Sequence, residues 1–323
     1  MFLVFDVGGT FIKYAWMTGE GEIIEKGKHK TPVGPESTLD EFMSIIVSVY
    51  QTFKAKGEVE GIAMDLPGQI DVEKGHVIIG GAIYYMRDLP LASIISDACD
   101  GVAVSIENDA KAAALAEVWM GSAKGAKCAV IVALGTGVGG GVVIDGKVHH
   151  GKDMLAGEFS FVLTHVDRDR IDDYIPIGDH KSVLTAFEDK APIASTYMAT
   201  SSLCFRAAKL KGLAYEDVNG ELIYKWAKDG DKEMQDLLED FYYEIAKFAI
   251  NVYTILNPDI ILFGGGISAE PAFLAGVDRY IKRLVRISSQ IYGDIRIDTC
   301  KFRNDSNLLG ALCNFKQQHG MLD

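Results

Sequence analysis

Leu134-Gly135-Thr136-Gly137-Val138-Gly139-Gly140-Gly141 constrains this chain more than any other stretch. It stands between two apolar runs, Ala129–Ala133 and Val142–Ile144, and Asp145-Gly146 follows. Gly135, Gly137 and Gly140 satisfy the G-x-G-x-x-G dinucleotide fingerprint, with Glu158 as a downstream acid. That fingerprint needs a helix directly after the glycines. A β-branched run and an Asp-Gly turn read instead as a second strand and a hairpin, which excludes the dinucleotide reading. A glycine loop between buried strands still lets backbone N–H groups approach a phosphate, because no Cβ intervenes. On this stretch alone, an unliganded hairpin fits equally well.

A second copy shifts the balance. Phe2–Phe5 is an apolar strand, Asp6-Val7-Gly8-Gly9-Thr10 a polar glycine turn, and Phe11–Trp16 a strand again. Gly19-Glu20-Gly21 then turns into Glu22-Ile23-Ile24. Both copies read strand, glycine turn, strand, turn, strand, and such a repeat suggests two related lobes. One phosphate loop per lobe would clamp a nucleotide polyphosphate.

The 323 residues suffice for two domains with sizeable cores. A net charge of -13 argues against nucleic acid as a partner. The scattered cysteines Cys99, Cys128, Cys204, Cys300 and Cys313 form no C-x-x-C, which points to a reduced, cytoplasmic protein without structural zinc. The chain opens on a strand, so no signal peptide is expected, and the longest apolar stretch is too interrupted by glycine to span a membrane.

Thr38-Leu39-Asp40-Glu41 is a capping box opening a helix whose apolar stripe is Phe42, Ile45, Ile46, Val49 and Phe53. Gly61–Met64 is a strand running into Asp65-Leu66-Pro67-Gly68, where ordinary turn chemistry accounts for Gly68. Gly80-Gly81-Ala82 is a further place where backbone could meet a ligand. The strand Val102–Ile106 leads through Glu107-Asn108-Asp109 into an alanine-rich helix, Ala110–Met120. Asn and Asp at such a junction are usually caps. The carboxyl end of a strand is also where α/β proteins place chemistry, and a carboxylate there can take a proton from an attacking hydroxyl.

Glu158 by itself reads as a solvated loop carboxylate. His149, His150, His165 and His180 lack metal-ligand spacing and read as surface or polar-packing residues. Residues 176–217 carry weak signals. Lys232–Leu256 is a long amphipathic helix with Leu237, Leu238, Phe241, Ile245, Phe248, Val252 and Ile255 on its core face, stopped by Asn257-Pro258. Ile260–Phe263 is a buried strand followed by Gly264-Gly265-Gly266, and a helix begins near Pro271. An adenosine could lie on that turn, although a plain strand–helix turn is the simpler reading. Ile295–Thr299 is a last strand, and Asn307–Phe315 a closing helix that packs back on the N-terminal lobe.

Taken as an ordered set, these stretches resemble the ROK family of sugar kinases and repressors, within the actin-like, sugar-kinase superfamily. The matching residues are Asp6-x-Gly8-Gly9-Thr10-x-x-Lys13, Glu107-Asn108-Asp109-Ala110, Leu134-Gly135-Thr136-Gly137-x-Gly139-Gly140-Gly141, Ala156-Gly157-Glu158 and Gly264-Gly265-Gly266. The resemblance implies an α/β, two-lobed actin-like ATPase (ribonuclease H-like) fold, with duplicated mixed-sheet domains and an interdomain cleft. It places residues 1–118 and about 304–323 in a small N-terminal lobe and 119–303 in a large C-terminal lobe. It makes Asp109 the catalytic base. Asn108 and Glu158 bind sugar hydroxyls, with Gly81 and Phe161 also against the substrate. Asp6 sits near Mg²⁺, if indirectly. Gly8, Gly9, Thr10, Lys13, Gly135, Thr136 and Gly137 hold the phosphates of ATP, and Gly264 and Gly265 lie near its adenosine. A cytoplasmic homodimer is expected, since family members are commonly dimers.

Two departures stand out. Phe161 occupies the position of the family's A-G-E-[IL]-G-H histidine, with Ser160 in place of its glycine, and no C-x-C-G-x-x-G-C loop follows. No zinc is therefore expected. An aromatic at 161 offers an apolar face where that histidine would read hydroxyls near the anomeric carbon. The sets Gly80-Gly81-Ala82-Ile83, Ala156-Gly157-Glu158-Phe159 and Gly220-Glu221-Leu222-Ile223 are similar to the zinc-less β-glucoside (cellobiose) kinase branch, which phosphorylates the 6-hydroxyl of the non-reducing glucosyl unit. Glucokinase and N-acetylmannosamine kinase are the alternatives within the family. A sugar-responsive transcription regulator would need a DNA-binding extension before Phe2 and a basic patch. An actin-like structural ATPase would not need sugar.

Overall fold

The computed structural model describes residues 1–81, 83–176, 180, 182–288, 290–302 and 305–322. Ala82, named above beside Gly81, lies outside them, as do residues 304 and 323 at the ends of the closing segment assigned to the small lobe. The chain forms two compact units: Met1–Gly125, Gly141–Ala156 and Phe302–Asp323 make the first, and Ala126–Gly140 and Gly157–Lys301 the second.

The first unit begins with β1 (Phe2–Val7), β2 (Phe11–Met17) and β3 (Ile23–Lys30), then α1 (Leu39–Lys54) and β4 (Gly61–Leu66). A small sheet follows: β5 (Gln69–Asp71), β6 (His76–Ile79) and β7 (Arg87–Leu89). Then come α2 (Leu91–Ala98), β8 (Val104–Asn108) and α3 (Asp109–Met120). The main sheet has the order β3-β2-β1-β4-β8, with the β1–β2–β3 meander antiparallel and β1, β4 and β8 mutually parallel.

Strand β1 is buried along its whole length, and its period-2 alternation serves two cores. Leu3, Phe5 and Val7 pack with Phe42, Ile46, Val49 and Phe53 of α1. Phe2 and Val4 pack with Leu308, Leu312 and Phe315 of the closing helix. The Thr38 capping box is present, with Thr38 accepting from Glu41 N and Glu41 reaching back to Thr38 N.

After α3 the chain runs into β9 (Cys128–Leu134), β10 (Val138–Ile144) and β11 (Lys147–Val148). The helices α4 (Val183–Glu188), α5 (Ala194–Met198), α6 (Thr200–Lys211), α7 (Gly220–Lys228) and α8 (Lys232–Leu256) follow. The chain ends with β12 (Ile260–Gly264), α9 (Pro271–Leu284), β13 (Ile297–Thr299) and α10 (Ser306–Gln318), the last in the first unit. The second five-stranded sheet has the order β11-β10-β9-β12-β13.

The duplication expected from the glycine turns extends to topology. Each sheet carries a glycine-turn meander on one side of its central strand and two parallel strands on the other. No helix follows Gly135–Gly137: β10 begins at Val138, and Asp145-Gly146, both at positive φ, turn it into β11. This geometry agrees with the rejection of the dinucleotide fingerprint.

Helix α8 spans the expected residues, and Asn257 closes it in the left-handed conformation. Its core stripe is shorter than expected. Val252 is the last buried member, and Ile255 is 79% exposed. Periodicity marks the face but not the point where the final turn outruns its neighbours. No described helix is long and apolar enough to cross a membrane.

Candidate active site

In the first unit, three parallel strands bring carboxylates to one level. Asp6 of β1 pairs in register with Asp65 of β4, and Asp65 with Glu107 of β8. Asn108 and Asp109 follow at the carboxyl end of β8, where an open parallel sheet leaves room for a ligand.

Asp6 is buried, and its Oδ2 accepts from Lys13 Nζ at 2.6 Å across the β1–β2 hairpin. Asn307, at the start of α10, donates through Nδ2 to Asp6 Oδ1 (3.4 Å) and Asp65 Oδ1 (3.3 Å). Asp65 is fully buried, and its Oδ2 has no hydrogen-bond partner. Burial first, then the nearby charges of Asp6 and Asp109, hold its carboxyl well above the usual carboxylate range. Sequence reading missed Asp65 and Asn307, because one looked like a strand end before a turn and the other like the opening of a helix.

The sign of the Asp65 shift fixes a pH effect. A raised native pKa means that the folded state holds a proton which the unfolded state releases. Stability is thus full below the ordinary carboxylate range and is lost as pH rises through the native value. Asp65→Asn removes this loss, since its amide can still accept from Asn307 and can donate to Asp6. The melting temperature of the variant should exceed that of wild type at neutral pH without divalent cations, by a margin that shrinks towards about pH 4. A margin independent of pH would contradict the assignment.

Asn108 caps α3, accepting from Lys111 N at 3.1 Å, so the capping expectation holds. Its Nδ2 also donates to Gly68 O at 3.0 Å. Gly68 has φ +113°, and a Cβ there would lie 1.9 Å from Ile79 O, so only glycine fits. An asparagine amide keeps a second proton and a second lone pair after these two bonds. Asp109 Oδ1 accepts from Ala110 N at 2.8 Å. Glu107, fully buried, accepts from Asn108 N at 2.7 Å and meets His150 Nε2 at 2.9 Å. His150 was expected on the surface or in polar packing, and its partner was not legible.

The turn Gly8-Gly9-Thr10 is closed by Gly8 N donating to Phe11 O (3.0 Å). It is braced by Thr31, whose hydroxyl donates to Gly8 O (2.6 Å) and whose N–H donates to Thr10 O (3.0 Å). Gly9 and Thr10 are exposed. Gly81 is also exposed, beside Pro67 and Gly68.

In the second unit, the turn Gly135-Thr136-Gly137 has its carbonyls tied down. Thr200 Oγ1 donates to Leu134 O (2.9 Å), Ser201 N to Gly135 O (3.2 Å) and Ser201 Oγ to Thr136 O (2.5 Å). Ser160 Oγ accepts from Val138 N at 2.9 Å. These braces, supplied from the start of α6 and from the residue that replaces the family glycine, orient the loop. The Thr200-Ser201-Ser202 run was the available signal within an otherwise uninformative region. Gly264 ends β12, and Gly265 has φ +93°, where a Cβ would lie 2.1 Å from Leu134 O, so the adenosine-turn candidate also lies against the β9 end. Glu158 is half-buried and precedes a 3₁₀ turn, Phe159–Phe161. Phe159 packs edge-on against Phe248, whereas Phe161 is 55% exposed. A cavity of about 700 Å³ between α7, α8 and α9 holds none of these residues.

Residues 3–318 match the family model described as the ROK family. The chain belongs to the ROK family. This ROK protein is 30% identical over 314 residues to the β-glucoside kinase of Klebsiella pneumoniae, covering 97% of its own length and 95% of that chain. It is 28% identical to the glucokinase of Halalkalibacterium halodurans, covering 98% of its own length and 96% of that chain. A ROK family protein from Streptococcus pneumoniae TIGR4, solved in complex with sucrose, superposes with a TM-score of 0.82 at 26% identity, covering 99% of this chain and 100% of that one. Together with the duplicated sheets, this gives the ROK protein the actin-like ATPase fold.

Proposed function

We propose that this protein is an ATP-dependent sugar kinase that transfers the γ-phosphoryl group to the 6-hydroxyl of a glucosyl unit, with a β-glucoside such as cellobiose as the favoured acceptor. The observation that carries the reading is the convergence of Asp6, Asn108 and Asp109 on the carboxyl ends of β1 and β8 in a chain matched to the ROK family over nearly its whole length. Its relatives include a protein named β-glucoside kinase, and one solved neighbour holds sucrose, a sugar substituted at its anomeric carbon.

Phosphoryl transfer demands charge neutralisation and an in-line hydroxyl more than covalent chemistry. Asp109 accepts the proton of the attacking hydroxyl as its oxygen bonds to the γ-phosphorus, and ADP leaves. The unused proton and lone pair of the Asn108 amide, together with Glu158, orient sugar hydroxyls. Backbone N–H groups of the Gly8–Thr10 and Gly135–Gly137 turns, with Lys13, hold phosphate oxygens. Gly264 and Gly265 offer flat backbone to the adenosine.

The orphaned Oδ2 of Asp65 beside Asp6 suits a Mg²⁺ ion, which needs only one or two carboxylates besides water and phosphate. When bound, it would neutralise the nucleotide's phosphates. Among the described residues no group of three or more His, Cys, Asp or Glu side chains could hold a metal ion.

The half-exposed Phe161, next to exposed Val162 and Leu163, gives an aglycone an apolar surface. ADP release measured with cellobiose, glucose and N-acetylmannosamine separates the acceptors. Cellobiose should have the highest kcat/KM, and far better turnover of glucose would overturn the glycoside reading. Phe161→His should move preference towards free glucose, by about tenfold in the ratio of kcat/KM values. An unchanged ratio would remove Phe161 from specificity. The proposed setting is cytoplasmic.

A further inference from the structure

We propose that His150 is a positioning residue for phosphoryl transfer, acting through Glu107 to fix the main chain from which Asp109 is presented. The inference rests on the sugar-kinase reading and goes beyond it by assigning a role to a pair of residues that touch neither substrate nor nucleotide in that reading.

The carboxylate of Glu107 is fully buried and used at both ends. One oxygen accepts from Asn108 N at 2.7 Å, and the other meets His150 Nε2 at 2.9 Å. Asn108 in turn holds Gly68 O through its amide and caps the helix that Asp109 begins.

His150 lies on the segment between β11 and Gly157, and that segment is pinned twice more. Ala156 N donates to His150 O at 3.1 Å. Gln69, the residue after Gly68, donates through its side chain to Asp153 O. The bonds close a ring: Glu107 to His150, through the backbone segment 150–153 to Gln69, through Gly68 to Asn108, and back to Glu107. All its members belong to the first unit.

Such a ring is more than local packing. Glu107 and Asn108 belong to β8, Gly68 and Gln69 lie at the turn into β5, and His150–Asp153 come from the loop after β11. Without the imidazole, one oxygen of the inner carboxylate loses its partner across the ring, and an unsatisfied buried polar atom drives rearrangement. The main chain at Asn108, bonded to the same carboxylate, would move with it. Small misplacement of a base costs turnover more than binding, since the hydroxyl must meet it at hydrogen-bond distance.

The test compares kcat and KM for His150→Phe, His150→Gln, Glu107→Gln and the double variant His150→Phe/Glu107→Gln, each checked for folding by its melting temperature. His150→Phe keeps the ring volume and removes the hydrogen bond. It should lower kcat at least about tenfold, with KM for ATP within about twofold of wild type. His150→Gln, which restores a donor, should recover most of the loss. The double variant should be no slower than the slower single variant, because both act on one link.

Wild-type kcat in His150→Phe, or multiplied losses in the double variant, would overturn the role. Should His150→Phe not fold, Glu107→Gln decides: it keeps an oxygen for Asn108 N, and an unchanged kcat would overturn the proposal. Inactivity of the wild-type protein on every sugar would instead sink the kinase reading, and the role of His150 with it.

Discussion

Asp109→Asn is expected to lower turnover of the favoured sugar by at least ~10² while leaving the KM for ATP near its wild-type value. The asparagine keeps the shape of the side chain and an oxygen in the place of Oδ1, so the bond from Ala110 N at 2.8 Å can persist and the start of α3 is preserved. What disappears is a group able to take a proton from the attacking hydroxyl. In the proposed mechanism the hydroxyl must then attack while still protonated, with only the positioning assigned to Asn108 and the glycine turns remaining. The reading also predicts a split between neighbours. Asn108→Ala breaks the cap on Lys111 N and the bond to Gly68 O, so it should cost stability as well as sugar affinity. A melting temperature for Asp109→Asn within about 2 °C of wild type, together with lost turnover, would separate chemistry from folding. Retained turnover would move the base elsewhere.

Gly310→Ala should be among the most damaging single-methyl changes in the first unit. Gly310 lies on α10, and a Cβ there would sit 1.7 Å from Ala112 O and 2.2 Å from its carbonyl carbon on α3. No rotamer relieves a clash with backbone, so the two helices must separate. The expected cost is about 3 kcal/mol, or a fall in melting temperature of roughly 5–10 °C. Because α3 begins at Asp109 and α10 begins beside Asn307, turnover should fall with stability. A melting temperature unchanged within about 1 °C would mean that the contact between α3 and α10 is looser than described.

The fold was legible where local chemistry is decisive. The β-branched run after Gly141 and the Asp145-Gly146 turn excluded a nucleotide-binding helix, and the hairpin is there. The paired glycine turns announced a duplication that the strand orders repeat. The Thr38 box and the Asn257 stop are both backbone events, readable from a few residues.

Less could be read where partners come from distant parts of the chain. Asp65 acquires its meaning only through its register with Asp6 and its bond to Asn307, which lies 242 residues further on. Glu107 and His150 are separated by 43 residues and by the whole of α3, β9, β10 and β11. Residues 183–211 show little periodicity, because α4 and α5 are short and the buried residues of α6 include Ser201 and Ser202 beside Leu203 and Cys204, yet the start of α6 supplies the Thr200 and Ser201 bonds that brace the Gly135 loop. Ile255 marks the opposite error, a periodic residue left outside the core because its helix outlasts its neighbours.

The most direct measurement is the structure of the product formed from ATP and cellobiose, read by ³¹P and ¹³C NMR. The account predicts stoichiometric ADP and a single phosphomonoester whose phosphorus couples to C6 of the non-reducing glucosyl unit. ADP and inorganic phosphate released at the same rate without any sugar would contradict it.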